Sequence, residues 1–443
     1  MPPAAHKFSG KRIDGGRIEL LSILGAGAYG VVYLGVDVAS PTDRPTWHAV
    51  KCISKKGLSE TQRTFQRREL TLHQLASDHP GVVTVNRVQE VTNWIFVIMD
   101  FCPEGDLFSM MTEQLLYLGQ DALIKNVFLQ IVSTVEHCHK LGIFHRDLKP
   151  ENILCTNGGT TMLLADFGLA TTEKMSDRYG CGSCYYMSPG SSCAIPLWAT
   201  TYRFSLECQG GVYVKKVPYS TQANDIWALG VILVNLTCNR NPWKEATTKD
   251  ETFCEYLRDR NFLRRILPIS SQCNELLKRI FTINPDNRIS IPALREAILD
   301  IQTFTMTEKE LIVNTRASVV QQKPLIKPPQ IKPKPQPDAS SGSDVVPPLS
   351  PTRPWLLRDS GASSTSDGSL ILTPEVQAIR DEPLAAVPEG DLDGEWDNAD
   401  EVGQITISFG NTKVNQNAVS PKNQPGTAGR SFLSTIARKI RAL

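Results

Sequence analysis

The sequence predicts an α+β fold of two lobes, a small strand-rich one over residues 15–100 and a larger helical one over 101–302, followed by a disordered tail. Three observations point there. Short runs rich in β-branched residues, 18–24, 31–36, 49–53, 82–88 and 94–99, crowd the first hundred positions. From Asp121 to Leu141 the apolar residues Leu123, Val127, Ile131, Val135 and Cys138 recur at helical spacing, and helical stretches continue to Asp300. Beyond Thr303 the composition changes. Residues 323–337 are rich in Lys and Pro, 340–369 in Ser and Gly, and 381–401 are acidic without a Lys or Arg, so this chain buries too little apolar surface to fold.

The bulk properties agree with a chain whose folded part is large. Its 443 residues are 41% hydrophobic, enough for a sizeable core. Lys and Arg number 47 against 46 Asp and Glu, so no global charge points to nucleic acid. Met1 to Gly10 lacks the apolar run of a signal peptide, and the most apolar stretch, 226–236, is far short of the ~20 residues of a membrane span. An intracellular protein of the cytoplasm or nucleus is expected, without a transmembrane segment. All 11 cysteines lie between Cys52 and Cys273 and are expected to be reduced. Cys181-Gly-Ser-Cys184 has no second pair at zinc-site spacing and is read as incidental.

The first strand, 18–24, leads into Gly25-Ala-Gly27-Ala-Tyr-Gly30-Val-Val32. Glycines here let backbone N–H groups approach phosphate oxygens without a Cβ in the way. A dinucleotide-binding turn would require a helix next, yet Val31 to Val36 is β-branched, so a hairpin is expected. Lys51 sits in the apolar strand Ala49-Val50-Lys51-Cys52-Ile53, where a buried cation needs a partner. Glu69 on the helix that follows is the best candidate, with Phe65, Leu72 and Leu75 on the neighbouring apolar stripe. The strand 94–99 ends in Asp100-Phe-Cys102-Pro-Glu-Gly-Asp106, and the helix over 121–141 delivers the chain to His145.

The stretch His145-Arg146-Asp147-Leu148-Lys149-Pro150-Glu151-Asn152 gathers an acid, a cation and an amide. Phosphoryl transfer needs all three: an Asp to orient the acceptor hydroxyl and take its proton, a Lys to neutralise the phosphate in flight, and an Asn carbonyl to ligate magnesium. Asp166-Phe167-Gly168 follows fourteen residues later with a second metal-binding carboxylate. Together these motifs resemble the catalytic and metal-binding loops of the eukaryotic protein kinases, and Leu148-Lys149-Pro150-Glu151 resembles the serine/threonine branch.

The resemblance implies a bilobal protein-kinase fold, ATP and Mg2+ as cofactors, and transfer of the γ-phosphate to Ser/Thr hydroxyls of protein substrates in intracellular signalling. Asp147, Lys149, Lys51 and Glu69 become the catalytic set, and Asn152 and Asp166 the metal ligands. Nucleotide binding falls to Gly25, Gly27, Gly30, Val32, Ala49 and Lys51. Met99 would stand behind the adenine, the backbones of Asp100 and Cys102 would bond its edge, and Asp106 would reach the ribose. Ser183 resembles the residue that contacts the catalytic Asp and Lys, and Asp225 the buried Asp that props the catalytic loop. Tyr179 stands where many kinases carry an activating phosphothreonine; Arg146 could pair such a phosphate, and Asp177 could substitute for it.

The chain departs from its family after Met187-Ser188-Pro189. Glutamate should follow at once, yet 17 residues without an acid, 190–206, intervene before Glu207-Cys-Gln-Gly-Gly. With them excised, the line resembles fungal kinases of the meiosis-restraining and nutrient-sensing kind. Arg288 in Asn-Pro-Asp-Asn-Arg288-Ile resembles the partner of Glu207. An unspliced intron is expected: seventeen codons make a 51-base segment that keeps the frame. A Gly190 codon of GGT would place a GT donor after its first base, and a Leu206 codon ending in A before the first base of Glu207 would give an AG acceptor. The competing reading is a genuine loop, which could leave a catalytically impaired scaffold of kinase fold. In the tail, 303–428, Ser350-Pro351, Thr373-Pro374 and Ser420-Pro421 could take phosphate from proline-directed kinases. Residues 429–443 place Phe432, Leu433, Ile436 and Ile440 on one helical face and Arg430, Arg438, Lys439 and Arg441 on the rest, a basic helix suited to docking on a partner or a membrane surface.

Overall fold

The computed structural model describes residues 8–27, 30–189 and 218–313, with the backbone of two short strands at 362–364 and 370–372. Glu207, the insert, the basic terminal helix and the rest of the tail lie outside the described residues. The chain divides into two compact units, whose described parts are 8–77 with 84–101, and 78–83 with 102–313. Among the described residues no helix is long and apolar enough to cross a membrane.

The smaller unit is one antiparallel sheet and a helix. Strands β1 (Arg12–Ile13), β2 (Ile18–Gly27), β3 (Gly30–Asp37), β4 (Trp47–Ser54), β5 (Val85–Glu90) and β6 (Trp94–Asp100) order as β1-β2-β3-β4-β6-β5. Helix α1 (Glu60–Ala76) starts in a capping box, in which the Ser59 hydroxyl accepts from the Gln62 N–H and the Gln62 side chain accepts from the Ser59 N–H. Alternation along the strands gives the sheet two apolar faces. Tyr33, Val50, Cys52, Phe96 and Ile98 form one with Ile18 and Leu20. Phe8 closes this face, its ring edge-on to Tyr33, Trp94 and Phe96, so the core begins earlier than the expected boundary at residue 15. Ile53, Ile95 and Val97 form the other face, covered by Leu70 of α1.

The expected strand 82–88 is split. Only its second half joins the sheet, because the Val83 N–H donates to Leu164 O and the Leu164 N–H to Gly81 O, which ties residues 81–83 to the larger unit.

The larger unit surrounds a helix buried on every side, α4 (Thr221–Cys238), in which all residues but Gln222 are buried. Its sequence is apolar all round, as such a position demands. Gly230 is needed there because a Cβ would meet Ile280 Cγ2 at 2.5 Å. Ahead of it run α2 (Leu107–Thr112), α3 (Asp121–Lys140), the hairpin β7 (Ile153–Thr156) and β8 (Thr161–Leu164), and the short pair β9 (Met175–Ser176) and β10 (Tyr219–Ser220). After it come α5 (Glu251–Arg258), α6 (Phe262–Ile266), α7 (Ser271–Ile280), α8 (Ile291–Asp300) and α9 (Glu308–Val313). Helix α3 matches the expected one and buries Ile124, Val127, Phe128, Ile131, Val132, Val135 and Cys138. Ordered chain passes the expected limit of 302: the Glu310 carboxylate accepts from Thr307 and pairs with Arg264 at 2.8 Å, holding α9 in place. In the tail, Ala362–Ser364 pairs antiparallel with Leu370–Leu372, a hairpin the composition did not predict.

Candidate active site

In the smaller unit the glycine-rich stretch is the expected hairpin. Gly25 faces Val32 across β2 and β3, and Gly27 faces Gly30. Gly30 has φ +148°, and a Cβ there would lie 2.3 Å from Cys52 O, so only glycine lets β3 start this close to β4. Directly opposed residues of an antiparallel pair share a face. Val32, Lys51 and Val97 therefore form one row, and Leu34, Ala49 and Met99 the next. This is the face on which α1 lies, which is why Lys51 meets the helix. Its Nζ stands 2.6 Å from Glu69 Oε1, with the side chains 19% and 12% exposed. At the end of β6 the Asp100 N–H donates to Thr84 O, and its carboxylate accepts from Asn86.

In the larger unit Asp225 fixes the backbone of His145 and Arg146. It is wholly buried; Oδ2 accepts the His145 N–H at 2.8 Å and lies 2.9 Å from His139 Nε2, while Oδ1 accepts the Arg146 N–H at 2.8 Å. These bonds hold Arg146 at φ +65°, a left-handed conformation that costs a non-glycine residue about 1–3 kcal/mol. Arg146 in turn donates to Leu169 O at 2.7 Å and to Ser176 Oγ at 3.3 Å. Among the described residues its side chain pairs with these groups and not with Asp177.

The strained turn presents Asp147. Lys149 Nζ stands 2.7 Å from its Oδ2 and 3.2 Å from Ser183 Oγ, and the Ser183 N–H donates to Asp147 Oδ1 at 3.0 Å. Asn152 Nδ2 donates to Asp147 O at 2.8 Å and to Oδ2 at 3.1 Å. Burial pulls the Lys149 ammonium pKa down, but Asp147, with smaller help from Asp166 and Glu151, outweighs it and holds the net value above the ordinary one. Lys149 is thus a fixed positive charge beside a carboxylate. Burial raises the Glu151 carboxyl, and Asp106 and Asp147 add to that shift. Gly182 makes the approach of Ser183 possible: it has φ +107°, and a Cβ would lie 2.7 Å from Arg146 O.

Asp166 is exposed, with φ +59°, and its Oδ1 accepts the Gly168 N–H. Phe167 behind it is fully buried, its ring 5.1 Å from that of His145. With the Asn152 amide nitrogen committed to Asp147, its carbonyl oxygen and the Asp166 carboxylate are hard oxygen donors of the type that suits a magnesium ion. Asp106 caps α2, its Oδ1 accepting the Ser109 N–H at 2.7 Å. Cys102 is buried, and its carbonyl accepts the Gly105 N–H.

A family model described as the protein kinase domain matches residues 18–298. The chain belongs to the protein kinase family. It is 45% identical over 295 residues to the negative regulator of sexual conjugation and meiosis of Schizosaccharomyces pombe, an alignment covering 66% of this chain and 62% of that protein. The serine/threonine-protein kinase VHS1 of Saccharomyces cerevisiae is 38% identical over 54% of this chain and 50% of its own length. The serine/threonine-protein kinase SKS1 of the same yeast is 37% identical over 56% and 48%. This protein kinase thus spans about half to three fifths of the length of the curated relatives it matches.

Sequence reasoning did not single out Gly182 or His139. The kinase motifs flank both, but each earns its place through a partner more than thirty residues away.

Proposed function

We propose that the chain is a serine/threonine protein kinase that transfers the γ-phosphate of ATP to hydroxyls of protein substrates. The observation that carries this reading is the Asp147–Lys149–Asn152–Ser183 network, because it sets a base, a cation and a metal ligand around one carboxylate. Asp147 orients the acceptor hydroxyl and takes its proton. Lys149 neutralises the phosphoryl group as it moves. Lys51, steered by Glu69, holds the α- and β-phosphates, and the glycine hairpin covers them. Asn152 and Asp166 would hold magnesium, which supplies charge neutralisation of the phosphates when bound. Val32, Ala49 and Met99 line the adenine side, with the Asp100 and Cys102 backbones at its edge and Asp106 toward the ribose. Every residue the transfer needs is present, so no observation favours a silent scaffold. The name of the Schizosaccharomyces pombe relative makes restraint of conjugation and meiosis the process in which to seek substrates.

The test is incubation of the purified protein with Mg-ATP and a generic basic protein, followed by phosphoamino-acid analysis. Phosphoserine or phosphothreonine is expected. No transfer by either the 443-residue chain or the chain lacking 190–206 would sink the reading.

Two substitutions probe the parts. Glu69→Gln removes the charge that holds Lys51, and kcat/KM for ATP should fall about 10–100-fold, the loss typical of a largely buried charge pair broken on one side. Unchanged ATP kinetics would refute the role of the pair. Gly182→Ala drives a Cβ into Arg146 O and strains a positive φ; it should lower kcat at least ~10-fold, with a stability loss of about 1–3 kcal/mol in urea titration. A fully active Gly182→Ala protein would show that Ser183 does not need this approach.

A further inference from the structure

Residues 8–17 lie ahead of the stretch that matches the protein kinase domain, 18–298, and are fastened to the smaller unit at three points. Phe8 is 6% exposed, its ring centroid 4.8 Å from that of Trp94, 5.7 Å from Phe96 and 6.1 Å from Tyr33. The Gly10 N–H donates to Leu20 O at 2.7 Å and the Leu20 N–H to Lys11 O at 2.9 Å, so this segment covers the outer edge of β2 before β1 takes up the pairing. Asp14 then reaches β5, the strand at the opposite end of the sheet. Its N–H donates to Gln89 Oε1 at 2.9 Å, and its carboxylate pairs with Arg87. The segment is a strap across one curled sheet.

Ser9 sits where the strap meets the strand that feeds the glycine hairpin. The register of β2 against β3 shifts between Leu20 and Ile23, so Leu21 and Ser22 stand opposite the single residue Leu34. Such a bulge disrupts the ladder, and here the Ser9 hydroxyl donates to Leu21 O. Gly25 follows four residues later. Ser9 is exposed while Phe8 beside it is buried, and Lys7, Lys11 and Arg12 flank it in sequence, the basic surroundings that an acid-lined kinase groove selects.

We propose that Ser9 is a phosphorylation site, and that phosphate there releases the strap from β2 and loosens the strand leading into the glycine hairpin. A protein kinase transfers the γ-phosphoryl group of ATP: the bond from the γ-phosphorus to its bridging oxygen breaks, a bond from phosphorus to Ser9 Oγ forms, ADP leaves, and the hydroxyl proton passes to a base. The product has no hydrogen on Oγ. The bond to Leu21 O is therefore lost, and a group carrying about −1.5 to −2 charge takes the donor's place beside a carbonyl. As Ser9 lifts, Phe8 is drawn from its aromatic contacts and the backbone of Leu20 and Leu21 becomes an uncovered sheet edge. The consequence for nucleotide binding rests on the protein-kinase reading, whereas the strap and its release do not.

Ser9 is the one Ser, Thr or Tyr among residues 1–13, so cleavage before Asp14 isolates it for mass spectrometry. Protein from its own cells should yield this fragment both with and without a phosphoryl group; a fragment that carries none in growing and resting cells alike overturns the assignment. Hydrogen exchange is then compared among the unmodified full chain, the full chain made with phosphoserine at residue 9, and Phe8→Ala. The Gly10 and Leu20 amides should exchange at least about tenfold faster in the last two, while α3 amides keep their rates and show that the fold persists. Equal or slower exchange with the phosphate, as when Arg12 leaves Glu19 at 3.0 Å to hold it, overturns the release. Kd for Mg-ATP should rise at least ~5-fold on phosphorylation, the low end of coupling between sites, and an unchanged Kd overturns the link to the hairpin. A chain that binds no Mg-ATP in either state, with exchange still faster, would refute the kinase reading and leave the strap standing.

Discussion

Asp147→Asn should lower kcat by about 10²–10⁴-fold, the range a positioned general base contributes, while KM for ATP changes little. The exchange is nearly isosteric, so the fold should survive it. Three of the carboxylate's contacts decide what is lost. One oxygen accepts the Ser183 N–H at 3.0 Å, and an amide oxygen still can. The other faces Lys149 Nζ at 2.7 Å and Asn152 Nδ2 at 3.1 Å, both donors, and an amide NH2 set there would meet two donors with a third. The base thus loses its proton-accepting charge, and Lys149 loses its anchor. With Asp147 neutral, burial dominates at Lys149, whose pKa should fall from its raised value. The measurement is steady-state kinetics on the wild type and the variant, with circular dichroism as the control for folding. Equal rates would remove Asp147 from the mechanism.

Much of this site was legible because local rules and chemistry agreed. Lys51 in an apolar strand announced a buried pair, and the sheet register puts it on the face that α1 covers. Val31 to Val36 could not be a helix, so the glycine-rich turn had to be a hairpin. The ends of the folded region were less readable. Phe8 is a lone aromatic in a polar stretch, and only the sheet face opposite α1 gives it a use. Residues 82–88 look like one strand, but tertiary bonds from Leu164 override the alternation and cut it in two. Gly182 carries no local signal, since its need arises from Arg146 O, thirty-six positions earlier. Asp106 before Leu107 was a legible N-cap, a role that local sequence signals and that stands beside the expected ribose contact. Strain at Arg146 was likewise invisible, because what holds it is a carboxylate on α4.

That carboxylate supports the second large effect. Asp225→Ala should destabilise the protein by about 4 kcal/mol, since it orphans two buried backbone N–H groups at ~1–3 kcal/mol each and removes the acceptor of His139. The loss should also reach catalysis. Arg146 keeps φ +65° only while its N–H and that of His145 are held together, and Asp147 is the next residue along. Released, the turn would relax toward ordinary φ and carry Asp147 away from Lys149 and Ser183, so kcat should fall by at least ~100-fold in the fraction that remains folded. Asp225→Asn is the milder variant. Its amide oxygen can keep one backbone bond, but the NH2 opposes the other N–H donor, so roughly half of the stability loss should appear. Urea denaturation and kcat measured together separate this residue from Asp147. The base variant should lose rate at nearly constant stability, whereas the Asp225 variants should lose both in step, Ala more than Asn. An Asp225→Ala protein with wild-type stability and rate would mean that the catalytic turn holds its shape without α4.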